Sequence, residues 1–378
     1  MQKRFIFPSF NIMACFAIVI ILAIPLNITS HSSSALTPVN TPVQLTSSGV
    51  YPNQDVTSQL ASSNSRYIAF KSRATNLIAS NDGNYHIFVL DTLTGAMTNE
   101  TLGIARVEMF TMSRNGRFLL LRESNTPSRT IFIDRLLDET QVIGTGYYPV
   151  AVSEDGRTII YRNGNTHYRM DRSTGISVQL PVGTANFSSA ETRDTLSCDG
   201  RFVVGMSAAQ LVPEDTDTLQ DIYLLDFLYN SVKKITLNAN EHSYNPEISC
   251  DGNYVTFLTH ASNFDIDTNN NMDIYRYSLE TEAVTRISLA PGESEFQGTM
   301  SYASEPETSA DGRYVYFVIS GGSLSSTYLR DTQTNTTTLV LGGQTYRPTL
   351  GYSPKTLYVT SGKYPGISRL QKVTNIIP

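Results

Sequence analysis

Two stretches of this chain carry oxygen-bearing side chains at the alternating spacing that a hard cation needs. One presents Asp265, Asp267, Asn269, Asn271 and Asp273; the other presents Asp215, Asp217 and Asp221. A tight loop can turn alternate side chains toward one point, which is how Ca2+ gathers several hard oxygens. Both stretches are therefore candidate Ca2+ sites, and Ca2+ is the one cofactor expected. The first begins like an EF-hand loop, yet it has Asn270 where that loop needs glycine and Arg276 where it needs the closing glutamate. The competing reading is an Asx-rich hairpin whose side chains bond nearby backbone. A weaker third copy keeps Asp82 and Asn84.

A second set of chemistry-bearing residues mixes aromatics with charge: Tyr148, Asp194, His242, Tyr244, Glu305, Glu307 and Arg347. Tyrosine offers apolar area and a hydrogen bond together, so this set suits a peptide or sugar ligand. Signals for catalysis are sparse. Beyond residue 35 the histidines are His86, His167, His242 and His260, none paired at metal-ligand spacing, and no Gly-x-Ser-x-Gly elbow occurs. His242 with Glu247 or Glu305 is the set a sugar lyase would use.

The elements that must position these residues come from a repeat. A phrase of Ser, any residue, Asp or Asn, usually Gly, then usually Arg recurs at Ser62–Arg66, Ser113–Arg117, Ser153–Arg157, Ser197–Arg201, Ser249–Asn253 and Ser309–Arg313, with a degraded copy ending at Lys355. Asp-Gly tolerates the positive φ of a hairpin turn. Each phrase is followed by an apolar run such as Tyr67–Phe70 or Tyr314–Phe317, the pattern of a strand covered on both faces. A third strand usually ending in Asp (Asp91, Asp134, Asp171, Asp226, Asp331) and a fourth ending in Leu-Thr or Ile-Ser complete the unit. We denote its strands A to D.

Such units, stacked around an axis, make an all-β propeller of four-stranded antiparallel blades. The last unit lacks its fourth strand, and Val43–Thr46 carries a fourth-strand ending before any first strand has appeared. The expectation is seven blades, the last closed by the N-terminal strand, with six blades as the alternative. The A–B and C–D turns then lie on one end of the ring. The B–C loops and D–A crossings, which hold both chemistry-bearing sets, lie on the other. The B–C loops of units 1, 4 and 5 are the long ones, and they resemble one another at Ala74–Leu77, Ala208–Leu211 and Ala261–Phe264.

The Ser-x-Asp-Gly-Arg turn, the apolar second strand and the Tyr-x-x-Asp third strand resemble the WD40-like repeat of the TolB-like propeller family, over roughly residues 40–378. The resemblance implies a periplasmic or secreted propeller that binds protein or glycan partners. TolB itself carries an α/β domain ahead of its propeller, whereas this chain is expected to pass almost directly from export signal to first blade, so TolB's own role does not carry over.

Composition agrees with an exported protein. Lys3 and Arg4 precede an apolar stretch from Ile12 to Leu26 and a Ser-rich segment with a small-residue site at Ser33–Ala35, so residues 1–35 read as a signal peptide and 36–378 as the propeller. Loss of Lys3 and Arg4 moves the net charge from −6 to −8. With no basic run, nucleic acid is not an expected partner, and no later segment suggests membrane insertion. Cys198 and Cys250 follow the Ser of adjacent repeats. Equivalent positions one unit apart are expected to be too distant for a disulfide, so both read as small turn residues. The functional expectation is a monomeric, non-catalytic protein- or glycan-binding scaffold of the cell envelope, with a lyase or hydrolase at the channel mouth as the alternative.

Overall fold

Each Ser-x-Asp-Gly-Arg phrase closes a hairpin by the same bonds. In the fourth unit Ser197 Oγ donates to Asp199 Oδ1 (2.6 Å) and accepts from the Phe202 amide (2.9 Å), while the Arg201 amide donates to Asp199 Oδ1 (3.0 Å). The arginine then crosses to the aspartate ending the third strand, as in Arg201–Asp226 (2.6 Å), Arg117–Asp134 (2.7 Å) and Arg313–Asp331 (2.7 Å). The repeat is thus a hairpin lock tying strands A, B and C.

The computed structural model describes residues 39–42, 52–78, 82–180, 193–269, 271–296, 302–321, 324–342, 346–349, 356–361, 369–374 and 376. All belong to one unit, Leu36–Pro378. The first strand, β1, is Val39–Pro42. The first blade is β2 (Val56–Ala61), β3 (Tyr67–Ser72), β4 (His86–Asp91) and β5 (Met97–Asn99). The second is β6 (Val107–Met112), β7 (Phe118–Glu123), β8 (Arg129–Asp134) and β9 (Glu139–Thr145); the third is β10 (Tyr148–Val152), β11 (Thr158–Asn163), β12 (Thr166–Asp171) and β13 (Ile176–Gln179). Among the described residues the fourth has three strands, β14 (Phe202–Ser207), β15 (Asp221–Asp226) and β16 (Ser231–Lys234), preceded by a short 3-10 turn, Arg193–Thr195, and a bridge from Leu196 to Val203. The fifth is β17 (Ser243–Ile248), β18 (Tyr254–Thr259), β19 (Asp273–Ser278) and β20 (Val284–Arg286), and the sixth is β21 (Tyr302–Thr308), β22 (Tyr314–Gly321), β23 (Leu324–Asp331) and β24 (Thr336–Leu341).

These six sheets follow the chain in order. A further four-stranded sheet is shared by the two ends, in the order β1, β27 (Arg369–Thr374), β26 (Thr356–Ser361), β25 (Tyr346–Thr349). The protein is an all-β propeller of mostly four-stranded antiparallel blades. The N-terminal strand does pair with the last one, Val39 opposite Thr374 through Pro42 opposite Gln371. It lies upstream of the expected Val43–Thr46, which is outside the described residues. Residues 1–38 are outside them too.

The apolar runs of the second strands are buried between blades, as expected. Phe70, Phe118, Phe257, Phe317 and Tyr316 are all essentially without solvent contact. The turn glycines complete this packing. Gly252 has φ +77°, and a Cβ there would lie 2.7 Å from the Phe202 ring of the preceding blade; Gly156 stands the same way against Phe118. The expected cost of Gly252→Ala is about 2–3 kcal/mol, from left-handed backbone strain plus overpacking, readable by urea denaturation.

The cysteine expectation is overturned. Cys198 and Cys250 form a disulfide, with Cα atoms 4.7 Å apart. The reason is radial. The first strand of each blade is innermost, so neighbouring A–B turns converge on the axis, where one unit of displacement is only a few ångströms. The same convergence lets the turns bond one another through backbone: Glu154 N to Cys198 O (2.9 Å), Cys198 N to Cys250 O (2.9 Å) and Asp251 N to Ala310 O (3.3 Å).

Candidate functional site

The three long B–C loops begin alike because their first residues are locked. Ser72, Ser207 and Thr259 each end strand B and accept the amide two residues on, from Ala74 (3.1 Å), Ala209 (2.9 Å) and Ala261 (2.9 Å). In blades 1 and 5 an asparagine from the preceding crossing then clasps the loop. Asn53 bonds Thr75 and Asn76, and Asn240 bonds Ser262 and Asn263. The shared Ala-x-Asn motif is therefore an anchor for the loop.

In blades 4 and 5 the acidic ends of those loops do converge, but each converges on a cation of the chain itself. Tyr223 on β15 lies opposite Lys234 on β16, and Tyr275 on β19 lies opposite Arg286 on β20. Lys234 Nζ is 2.9 Å from Asp215 Oδ1, 2.8 Å from Asp221 Oδ2 and 3.7 Å from Asp217 Oδ2, and Tyr223 donates to Asp215. Arg286 pairs with Asp273, with Glu295 (2.6 Å), and more loosely with Asp267 (3.6 Å) and Asp265 (3.8 Å). Asn269 serves the loop itself: its side chain accepts from the Asn271 amide (2.7 Å), and its own amide donates to Asp267 (3.1 Å). The fourth-strand Thr or Ser closes the arrangement: Thr236 donates to Asp221 (2.7 Å) and Ser288 to Asp273 (2.5 Å). In blade 1 the strand D position opposite Phe88 is the neutral Asn99, and His86 is held between Asp82 (2.9 Å) and Thr101 (3.1 Å).

These residues do not fit a divalent cation as they stand. An ammonium or a guanidinium already occupies the point on which the carboxylates converge. The electrostatics agree: hydrogen bonds from Tyr223 and Lys234 outweigh burial and hold the Asp215 carboxyl below its usual range. Burial wins at Asp221 and Asp273 and raises both despite their partners.

The expected mouth residues are divided by the structure into three places. His242, Tyr244 and His260 group on the B–C end, with ring centroids 6.1 and 6.4 Å apart, and His242 Nδ1 accepts the Gln220 amide (2.9 Å). Tyr148 lies against the guanidinium groups of Arg122 (4.0 Å from ring centroid) and Arg162 (4.4 Å). Asp194 and Glu307 instead sit near the A–B turns, deep in the ring. The side chains of Glu305 and Arg347 are outside the described part.

That deep group holds a residue absent from the expected site set, Arg114. It follows the turn serine of blade 2, reaches Asp194 Oδ1 (Nε, 3.0 Å) and donates from Nη2 to the carbonyl of Ile248. Both side chains of the Arg114–Asp194 pair are about 4% exposed. Glu247 joins them, placed by a bulge between Tyr244 and Glu247; a matching bulge between Ser304 and Glu307 places Glu307. Burial, then Glu307 and Asp194, drive the Glu247 carboxyl well above its normal range, with Arg114 opposing. Burial also raises Glu154. The sequence signal was available: the residue after the turn serine is Arg only in blade 2.

His167 on β12 is buried, and burial, with Arg162 adding to it, pushes its imidazole down to about 4. Between pH 6.5 and 4 the folded state then binds fewer protons than the unfolded one, so stability falls as pH drops through that window. The expected loss is about 3 kcal/mol, and His167→Gln should remove it, as urea titrations at about pH 7 and pH 4 would show.

No family model matches this chain, and no curated protein matches it. Among solved structures it resembles an oligogalacturonate lyase from Vibrio parahaemolyticus, with a TM-score of 0.59 and 13% identity over 90% of this chain and 97% of that one. An oligogalacturonate lyase in complex with manganese gives 0.56 and 13%, over 89% and 90%. The likeness is one of fold. TolB from Acinetobacter baumannii, at 18% identity and a TM-score of 0.46, is covered over 65% of its length. The similarity to TolB-like propellers is structural and at low identity.

Proposed function

We propose that this chain is an exported, non-catalytic propeller that binds a partner on the face made by its B–C loops and D–A crossings. On this reading the shared sheet is a seventh blade, supported by β25 lying beside β21 and β2 beside β25. The observation that carries the reading is how the ionisable groups of that face are used. The carboxylates of blades 4 and 5 are neutralised from within, and His86 and His242 are engaged in structural bonds, while tyrosines and arginines of blades 1 to 3 stay partly open. That is a rigid recognition surface rather than a set of free acids and bases. The Cys198–Cys250 disulfide supports passage into an oxidising compartment. Ca2+ has no role in this reading, because Lys234 and Arg286 stand where it would bind.

The test is retention of envelope components, protein and glycan, on immobilised protein. Specific retention that survives moderate salt supports the reading; retention no greater than on an unrelated propeller ends it. A second reading, a polyuronate lyase, is favoured by the whole-length likeness to lyase propellers. Against it stands the use of the loop-face histidines in structural bonds, His86 to Thr101 and Asp82 and His242 to the Gln220 amide. Formation of unsaturated sugar ends from polygalacturonate would favour the lyase.

A further inference from the structure

One strip of the B–C face joins three blades through a continuous chain of contacts. On blade 1, Tyr85 lies beside Lys71 (Nζ 5.2 Å from the ring centroid) and Arg73 (5.8 Å). Lys71 reaches blade 2, donating to the Glu108 carbonyl (2.7 Å). The Glu108 carboxylate pairs with Arg122, and Arg122 lies against Tyr148 of blade 3, which also holds Arg162. Burial disfavours the charge of Lys71, and Arg106, at the crossing into blade 2, is near enough to add to it. Five cations thus meet one carboxylate along the strip, on a chain whose overall charge is negative.

The strip has the chemistry of a carboxylate reader. Tyr148 holds two guanidinium groups against its ring, and a planar guanidinium matches a carboxylate through two parallel hydrogen bonds. Arg122 and Arg162 are partly spent on Ser128 Oγ (2.8 Å) and the Gly164 carbonyl (2.8 Å), which orients them. Arg73 and Arg106 are exposed. The strip's surplus of positive charge, five cations to the Glu108 carboxylate, complements a partner that carries negative groups at intervals along its length. A hydrophilic chain with regularly spaced negative groups fits that charge.

Resting on the binding reading above, we propose that this strip binds an acidic polysaccharide through carboxylates carried on successive sugar rings. The probe is alginate in affinity electrophoresis without divalent cations. Alongside it run its propylene glycol ester, which has the same backbone with carboxylates blocked, and poly-glutamate, which has carboxylates on a peptide. The proposal expects alginate to retard the purified protein, the ester to do so at least tenfold less, and poly-glutamate to bind more weakly than alginate. The double reversal Arg73→Glu with Arg106→Glu changes only exposed side chains, and it should weaken alginate binding about tenfold or more. No alginate binding, equal binding by the double variant, or equal affinity for poly-glutamate would each overturn it. Specific retention of an envelope protein by the wild type, without any alginate binding, would show that this inference had failed while the binding function stood.

Discussion

Lys234→Met is expected to cost the protein about 3–5 kcal/mol, the largest single effect on its loop face. The side chains of Lys234, Asp215 and Asp221 are 4%, 1% and 1% exposed, so the substitution leaves two carboxylates buried close together without their counter-charge. Removing one partner of a buried ionic group is costly for that reason, whereas replacing the whole group need not be. The triple change to Lys234→Met, Asp215→Asn and Asp221→Asn should therefore recover part of the loss. Urea denaturation measures both. Calorimetry on the same proteins separates the two cation readings. The wild type should show no heat with millimolar Ca2+, because the ammonium fills the site. Lys234→Met, with its carboxylates released, should be stabilised by Ca2+. Ca2+ binding by the wild type at millimolar concentration would overturn this account.

Arg114→Leu should cost a comparable amount, about 3–5 kcal/mol, by the same principle applied at the axis. It strips Asp194 of a buried partner and frees the carbonyl of Ile248, which caps the inner strand of blade 5. It also removes the one charge that favours ionised Glu247. The sign with pH follows. An acid whose folded pKa is raised loses stability as pH rises above its unfolded value of about 4.5, since the folded state keeps the proton longer. Without Arg114 that decline should steepen toward neutral pH, and Glu247→Gln in the same background should flatten it. A variant that unfolds like wild type at both mildly acidic and neutral pH would show the arginine to be dispensable.

Both arguments bear on how much could be read from residues in order. The hairpin turns and the buried second strands were legible because each rests on local chemistry, and the pairing of chain ends because the repeat left the last unit one strand short. Ser, Asp and Gly at fixed spacing dictate a turn wherever they occur, and an apolar run flanked by turns is a covered strand. The described closing strand is Val39–Pro42, and the expected Val43–Thr46 lies outside the described residues. The site was harder. The acidic loops were visible as clusters of oxygen ligands, but the cations that complete them arrive from strand D, beyond the intervening strand C, and only strand register brings them back. Tyr223 opposite Lys234 and Tyr275 opposite Arg286 are facts about pairing.

By itself, the sequence determined the blade: its turn, its four strands, the burial of its second strand, and the face on which the unequal loops stand. Those are short-range matters of backbone conformation and hydrophobic pattern. Only the tertiary structure decided what meets at the axis and between blades. It joined Cys198 to Cys250, placed Arg114 beside Asp194, gathered Tyr85, Arg122 and Tyr148 into one strip, and put a lysine inside a group of aspartates. The physical reason is that a ring brings equivalent positions of neighbouring units together at its centre, and no spacing along the chain records how near the axis a residue will stand.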